Sequence, residues 1–126
     1  MACSAAFGLL GFMQRGWRKA LIEMIEQVPP RELAAWLASA REGGTQPLLL
    51  DVREPAEWQA ASVRAEGAEL LQMPMMSVPP RLHELDPGRP VAVLCHHGGR
   101  SMQVAMFLQQ HGFERAANVA GGIDAW

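Results

Sequence analysis

Two short runs, Leu48-Leu49-Leu50 and Val91-Ala92-Val93-Leu94, are apolar at every position, and each ends on a residue with chemistry of its own, Asp51 and Cys95. In an extended chain successive side chains point to opposite faces, so a run without polar alternates is apolar on both. Such a strand is stable inside a sheet covered on both sides, the usual setting of parallel sheets. The neighbouring segments supply the cover. Leu33, Trp36, Leu37 and Ala40 follow Pro29-Pro30 at i, i+3, i+4 and i+7 and precede Gly43-Gly44, the pattern of an amphipathic helix with a proline start and a glycine stop. Further along, Pro55 to Ala61 predicts a helical turn or two, Ala68 to Leu71 a strand, and Ser77 to Leu85 a short helix. Ser101 to Gln110 predicts a helix closed by His111-Gly112, and Ala117 to Val119 a last strand. With Met102, Val104, Ala105, Met106, Phe107 and Leu108, the Ser101 helix is expected to be largely buried. Strands alternating with helices imply right-handed crossovers and an open parallel α/β sheet. Ligands of such sheets bind at strand carboxyl ends, where Asp51 and Cys95 both fall.

The chain has 126 residues, enough for one domain that buries roughly two thirds of its unfolded surface. Apolar residues make up 49% and charged residues 19%, as in folded soluble proteins. Net charge is −2 and Lys19 is the only lysine, so there is no basic stripe for nucleic acid. The apolar stretch from Ala5 to Met13 falls short of the about 20 residues that cross a bilayer. Its basic residues, Arg15, Arg18 and Lys19, follow it rather than precede it, unlike those of a secretory leader. Two cysteines far apart, Cys3 and Cys95, without a Cys-x-x-Cys, predict free thiols in a reducing compartment, the cytoplasm. Residues 1–24 differ from the rest, with Trp17, Leu21 and Met24 at the spacing of a short amphipathic helix. They are expected to form an extension outside a domain of residues 25–126, and residues 1–23 would be absent if Met24 were the start codon.

The chemistry concentrates in Cys95-His96-His97-Gly98-Gly99-Arg100-Ser101, a glycine-bearing loop between a buried strand and a helix. Successive loop amides and the helix amino end make an anion cradle, and a thiolate at Cys95 is stabilised there. Gly98 and Gly99 permit positive φ and close backbone approach. Arg100 supplies a fork of donors suited to an oxyanion. A Cys-His-His triple in one tight loop cannot direct all three side chains at one metal, so no metal site is expected and His96 and His97 are read as exposed loop residues.

These residues resemble the rhodanese family. The resemblance rests on Leu48-Leu49-Leu50-Asp51-Val52-Arg53-Glu54-Pro55 with Glu57-Trp58, on Glu66-Gly67-Ala68, on the Cys95 to Ser101 loop, and on Gly121-Gly122-Ile123-Asp124-Ala125-Trp126, in that order over about residues 26–126. It implies a three-layer α/β/α domain around an open, mainly parallel sheet of about five strands. It also implies a thiosulfate sulfurtransferase in which Cys95 takes the outer sulfur of thiosulfate, 3-mercaptopyruvate or a similar donor as a persulfide. The sulfur then passes to cyanide, a thiol or a protein acceptor, with no metal or organic cofactor. Carried over to this chain, the amides from His96 to Ser101 hold the persulfide, Arg100 binds the anionic donor, and Asp51 and Arg53 brace the loop and sheet. A persulfide carrier serving a protein partner is the alternative, since it needs the same cysteine. So is arsenate or phosphate chemistry, as in the related arsenate reductases and Cdc25-type phosphatases. Those phosphatases place one residue more between cysteine and arginine than the His96 to Gly99 found here, so this cradle is expected to suit a sulfur atom better. Two departures from the family pattern are Arg64 where a histidine is usual, and the lack of a helix after Trp126, which is expected to leave one sheet face incompletely covered.

Overall fold

The structure, a computed structural model, describes residues 25–126; the readings on residues 1–24 lie outside it. Five strands, β1 (Glu26–Val28), β2 (Leu48–Asp51), β3 (Glu69–Gln72), β4 (Val91–Leu94) and β5 (Ala116–Val119), form one sheet in the order β1-β5-β4-β2-β3. Every pairing is parallel. The helices are α1 (Pro30–Arg41), α2 (Pro55–Ala60) and α3 (Gly99–Gln110). The architecture expected for the rhodanese resemblance is the one found.

Strand alternation sorts the core into two layers. Leu49, Ala92, Leu94 and Ala117 face Leu33, Trp36, Leu37 and Ala40 of α1, while Leu48, Leu50, Val91 and Val93 face Val104, Ala105 and Leu108 of α3. The central strands β2 and β4 are buried at every position, so both faces are covered there. Only at the edge strand β3 are Leu70 and Leu71 half-buried. The helix α3 is less enclosed than its composition suggests. Ser101, Val104, Ala105 and Leu108 are buried, but Met102, Met106 and Phe107 are half-exposed, because a helix lying on one sheet face can hide only one side.

Two further elements differ from the sequence reading. Ser77 to Leu85 is not one helix but the end of a 3₁₀ turn, Met75–Ser77, and a second turn, Leu82–Glu84. Pro79 and Pro80 between them lack the N–H groups that a continuous helix requires. The edge strand β1 carries too little apolar signal, with Glu26 and Gln27 exposed, to be legible as a strand. It is held by pairing with β5 and by Trp36 of α1, whose indole Nε1 donates to Glu26 Oε1 at 2.9 Å.

With all strands parallel, their carboxyl ends share one edge. The chain leaves β2 toward β3 and leaves β4 toward β5, so the connections diverge between β2 and β4. A crevice opens at such a point. Asp51 and Leu94 are paired in register there, and Cys95 follows directly.

Candidate active site

Cys95 begins the loop that leaves β4 and enters α3. Its side chain turns back under the loop. Gly98 donates its N–H to Cys95 Sγ at 3.0 Å, and Ser101 Oγ lies 3.2 Å from the same sulfur. Gly98 takes φ 104°, a conformation that L side chains rarely adopt, and this turns the chain from the loop into the helix. The helix therefore starts at Gly99, two residues before the sequence pattern placed it. The amino end of this 12-residue helix faces the sulfur. Burial pushes the thiol pKa up. The Ser101 hydroxyl and the amides of Ser101, Gly98 and His97 favour the anion and more than offset it, so Cys95 titrates below the ordinary thiol range.

The outer wall of the loop is pinned by the last turn, Gly122–Ala125. Ile123 N–H donates to the Cys95 carbonyl at 2.8 Å and Asp124 N–H to the His96 carbonyl at 3.0 Å. A β-carbon on Gly122 would overlap both carbonyls, which is the physical content of the Gly121-Gly122 pair.

Arg100 does not stand free in the cradle. Its guanidinium makes a two-pronged ion pair with Glu57 of α2, at 2.7 and 2.8 Å. Glu57 also accepts the backbone N–H of Glu54 at 3.1 Å, closing a capping box on α2. The Arg100 hydrogen bond, only partly opposed by burial, holds the Glu57 carboxyl down to about 2. Asp51 and Arg53 form a buried pair in which Arg53 NH2 lies 2.8 Å from Asp51 Oδ2. Arg53 also donates to the carbonyls of Glu57 at 3.2 Å and Ala61 at 2.7 Å, the carboxyl end of α2. This pair thus fastens the end of β2 to α2, and through Glu57 to Arg100.

His96 and His97 stand outside, 46% and 73% exposed, with their rings stacked 4.0 Å apart and only 11° from parallel. Together with Asp124 they bring donor atoms within 4.8 Å of one another. In stacked parallel rings the nitrogen lone pairs lie in separate planes, so the two imidazoles do not converge on one ion as they stand.

The structure thus brings Cys95, Gly98, Arg100 and Ser101 to one place, sets Asp51 and Arg53 as a brace beneath, and leaves His96 and His97 at the rim. Sequence reasoning gave no role to Glu57, which it recorded only within the Glu57-Trp58 motif. It missed Asn118, buried on β5 within hydrogen-bond reach of Ser101, and Gln27 beside it. A polar residue inside an otherwise apolar strand, Ala116-Ala117-Asn118-Val119, was the available signal for Asn118.

Residues 33–126 match the family described as the rhodanese-like domain. The chain is 34% identical over 103 residues to a protein named sulfurtransferase from Allochromatium vinosum, an alignment covering 82% of this chain and 89% of that one. It is 34% identical over 99 residues to the probable adenylyltransferase/sulfurtransferase MoeZ of Mycobacterium tuberculosis, covering 79% of this chain but 24% of that protein. Among solved structures it is similar to the polysulfide-sulfur transferase homodimer of Wolinella succinogenes, with TM-score 0.68, 25% identity, and coverage of 93% of this chain and 83% of that one.

Proposed function

The chain belongs to the rhodanese-like family, whose sulfurtransferase members make sulfur transfer its general chemistry, and from that premise we propose that it moves sulfane sulfur through a persulfide on Cys95. The observation that carries this reading is the set of N–H and O–H donors converging on Cys95 Sγ, which lowers the thiol pKa and favours the thiolate.

With thiosulfate as donor, the Cys95 thiolate attacks the outer sulfur. A Cys95 S–S bond forms, the S–S bond of thiosulfate breaks, and sulfite leaves with the bonding electron pair. The product is a persulfide anion whose charge the loop amides and the amino end of α3 stabilise. A nucleophilic acceptor such as cyanide or a thiolate then attacks the outer sulfur, and the Cys95 thiolate departs. Thiosulfate or a related anionic donor is the expected partner, and Arg100, paired with Glu57, is the cation that would meet it on leaving that pair. In a carrier of sulfur between proteins the first half of this sequence is unchanged, and only the acceptor differs.

The test is intact-protein mass after incubation with thiosulfate. One added sulfur is expected, removable by cyanide and absent in Cys95→Ala. If the folded protein gains no sulfur from thiosulfate, 3-mercaptopyruvate or polysulfide, the reading fails and oxyanion chemistry on the same cradle takes its place.

A further inference from the structure

Asn118 is a polar residue in an apolar row. The register aligns Leu50, Val93 and Asn118 across the sheet, with Gln27 opposite Asn118 on the edge strand. Leu50 and Val93 are fully buried, and Asn118 is only 4% exposed. A buried amide there needs partners at both ends. It finds them in a chain that begins at the reactive sulfur. Ser101 Oγ lies within hydrogen-bond reach of both Cys95 Sγ, at 3.2 Å, and Asn118 Oδ1. Asn118 Nδ2 donates to Gln27 Oε1 at 2.8 Å, and Gln27 Nε2, at the exposed end, donates to Met102 Sδ at 3.2 Å.

Ser101 has one hydroxyl proton, and two acceptors claim it. While the proton points at Asn118 Oδ1, Ser101 Oγ offers the sulfur a lone pair, which suits a protonated thiol. A thiolate or persulfide anion needs that proton turned toward it, and Asn118 Oδ1 is then left buried without a donor. Turning both amides over removes the conflict. Asn118 Nδ2 then donates to Ser101 Oγ, Gln27 Nε2 donates to Asn118 Oδ1, and Gln27 Oε1 meets water. The two ends of an amide differ little in shape, so the packing is the same in either direction.

We propose that Asn118 and Gln27 are positioning residues that, acting through Ser101, reverse the direction of hydrogen bonding at Cys95 as its sulfur changes from thiol to anion. The purpose of the device rests on the sulfur-carrying reading; its operation belongs to the thiol alone. The thiol proton leaves to solvent, and the hydroxyl and two amides only turn. The charged and titratable groups around the loop are Arg100 of α3, Glu57 of α2, His96 and His97 in the loop and Asp124 in the last turn, with Asp51 and Arg53 beneath. None of them is a member of the chain of amides.

The experiment is the pH dependence of Cys95 alkylation by iodoacetamide, read from the mass of the Cys95 peptide and independent of any sulfur donor. Gln27→Glu places an acceptor-only carboxylate at the exposed end, which holds Asn118 Nδ2 outward and Oδ1 on Ser101. The midpoint is expected to rise by about one pH unit, a roughly tenfold loss of rate well below the midpoint. With the relay cut by Asn118→Leu, the same Gln27→Glu change is expected to move nothing. A charge acting through space would shift both backgrounds alike. That result, or an unmoved midpoint in Gln27→Glu alone, would overturn the proposal. Should Asn118→Leu fail to fold, Ser101→Ala cuts the relay one link earlier and gives the same comparison. A protein that shows the expected pattern yet takes up no sulfur supports the relay and removes the sulfur-carrying role.

Discussion

At the scale of single residues, the site is a balance of hydrogen bonds against burial. Because the anion is the reactive form, Cys95 alkylation is expected to fall as pH drops through a midpoint below that of an unperturbed thiol. A stopped-time alkylation series against a free cysteine peptide checks this. Arg100 and Glu57 make a second balance. Glu57→Gln releases the guanidinium without removing it, and the Michaelis constant for thiosulfate is expected to fall several-fold. Arg100→Ala, which also leaves the Glu57 carboxylate unpaired near the mouth, is expected to raise it about tenfold; steady-state kinetics with cyanide as acceptor measure both. Gly122→Ala forces a β-carbon onto the carbonyls of Cys95 and His96, and it is expected to destabilise by more than about 1 kcal/mol in denaturant unfolding and to slow alkylation. Cys95, Gly98 and Arg100 were legible in the sequence, because strand, loop and helix follow one another in the chain; Gly99, read with Gly98 as a positive-φ residue, instead begins α3 without positive φ and with open space where a β-carbon would stand. The carboxylate that occupies Arg100 was not legible, since Glu57 is 43 residues away and only the fold brings them together.

At the scale of elements, the six-residue helix α2 is too short to stand alone and is held by side chains from elsewhere. Arg53, 2% exposed, joins Asp51 at the end of β2 to the last carbonyls of α2. Asp51→Ala leaves that guanidinium buried without its counter-ion, at an expected cost of about 3–5 kcal/mol. Urea unfolding checks the cost, and circular dichroism before unfolding checks that the fold survives. Helices α1 and α3 were readable from apolar periodicity, and β2 and β4 from unbroken apolar runs. The edge strand β1 was not, because a strand with exposed Glu26 and Gln27 carries no apolar pattern and owes its geometry to β5. The proline pair at Pro79-Pro80 was a readable signal against one continuous helix, and the structure shows its effect as two separate turns.

At the scale of the whole molecule, stability and the site are linked through Glu57. Its carboxyl titrates near 2 in the folded protein against an ordinary 4.5, so its stabilising contribution is fully present above about pH 4.5 and is lost as pH falls from there toward 2. The difference in unfolding free energy between the parent and Glu57→Gln is therefore expected to be constant near neutrality and to shrink across that acid window, as urea titrations at a series of pH values would record. The sequence by itself determined the layering. Apolar on both faces, β2 and β4 had to lie at the centre of a covered sheet, and α1 had to lie on one side of it, since hydrophobic patterning acts through local spacing and is written in neighbouring residues. The strand-end positions of Asp51 and Cys95 followed from the same logic. Only the tertiary structure decided which polar groups meet. Gln27 and Asn118 are 91 residues apart, Ser101 and Asn118 are 17 apart, and Glu57 faces Arg100 because α2 and α3 leave the same sheet edge. Hydrogen bonds and ion pairs depend on ångström-scale geometry between distant segments, and strand order and register, which set that geometry, exist only once the sheet has formed.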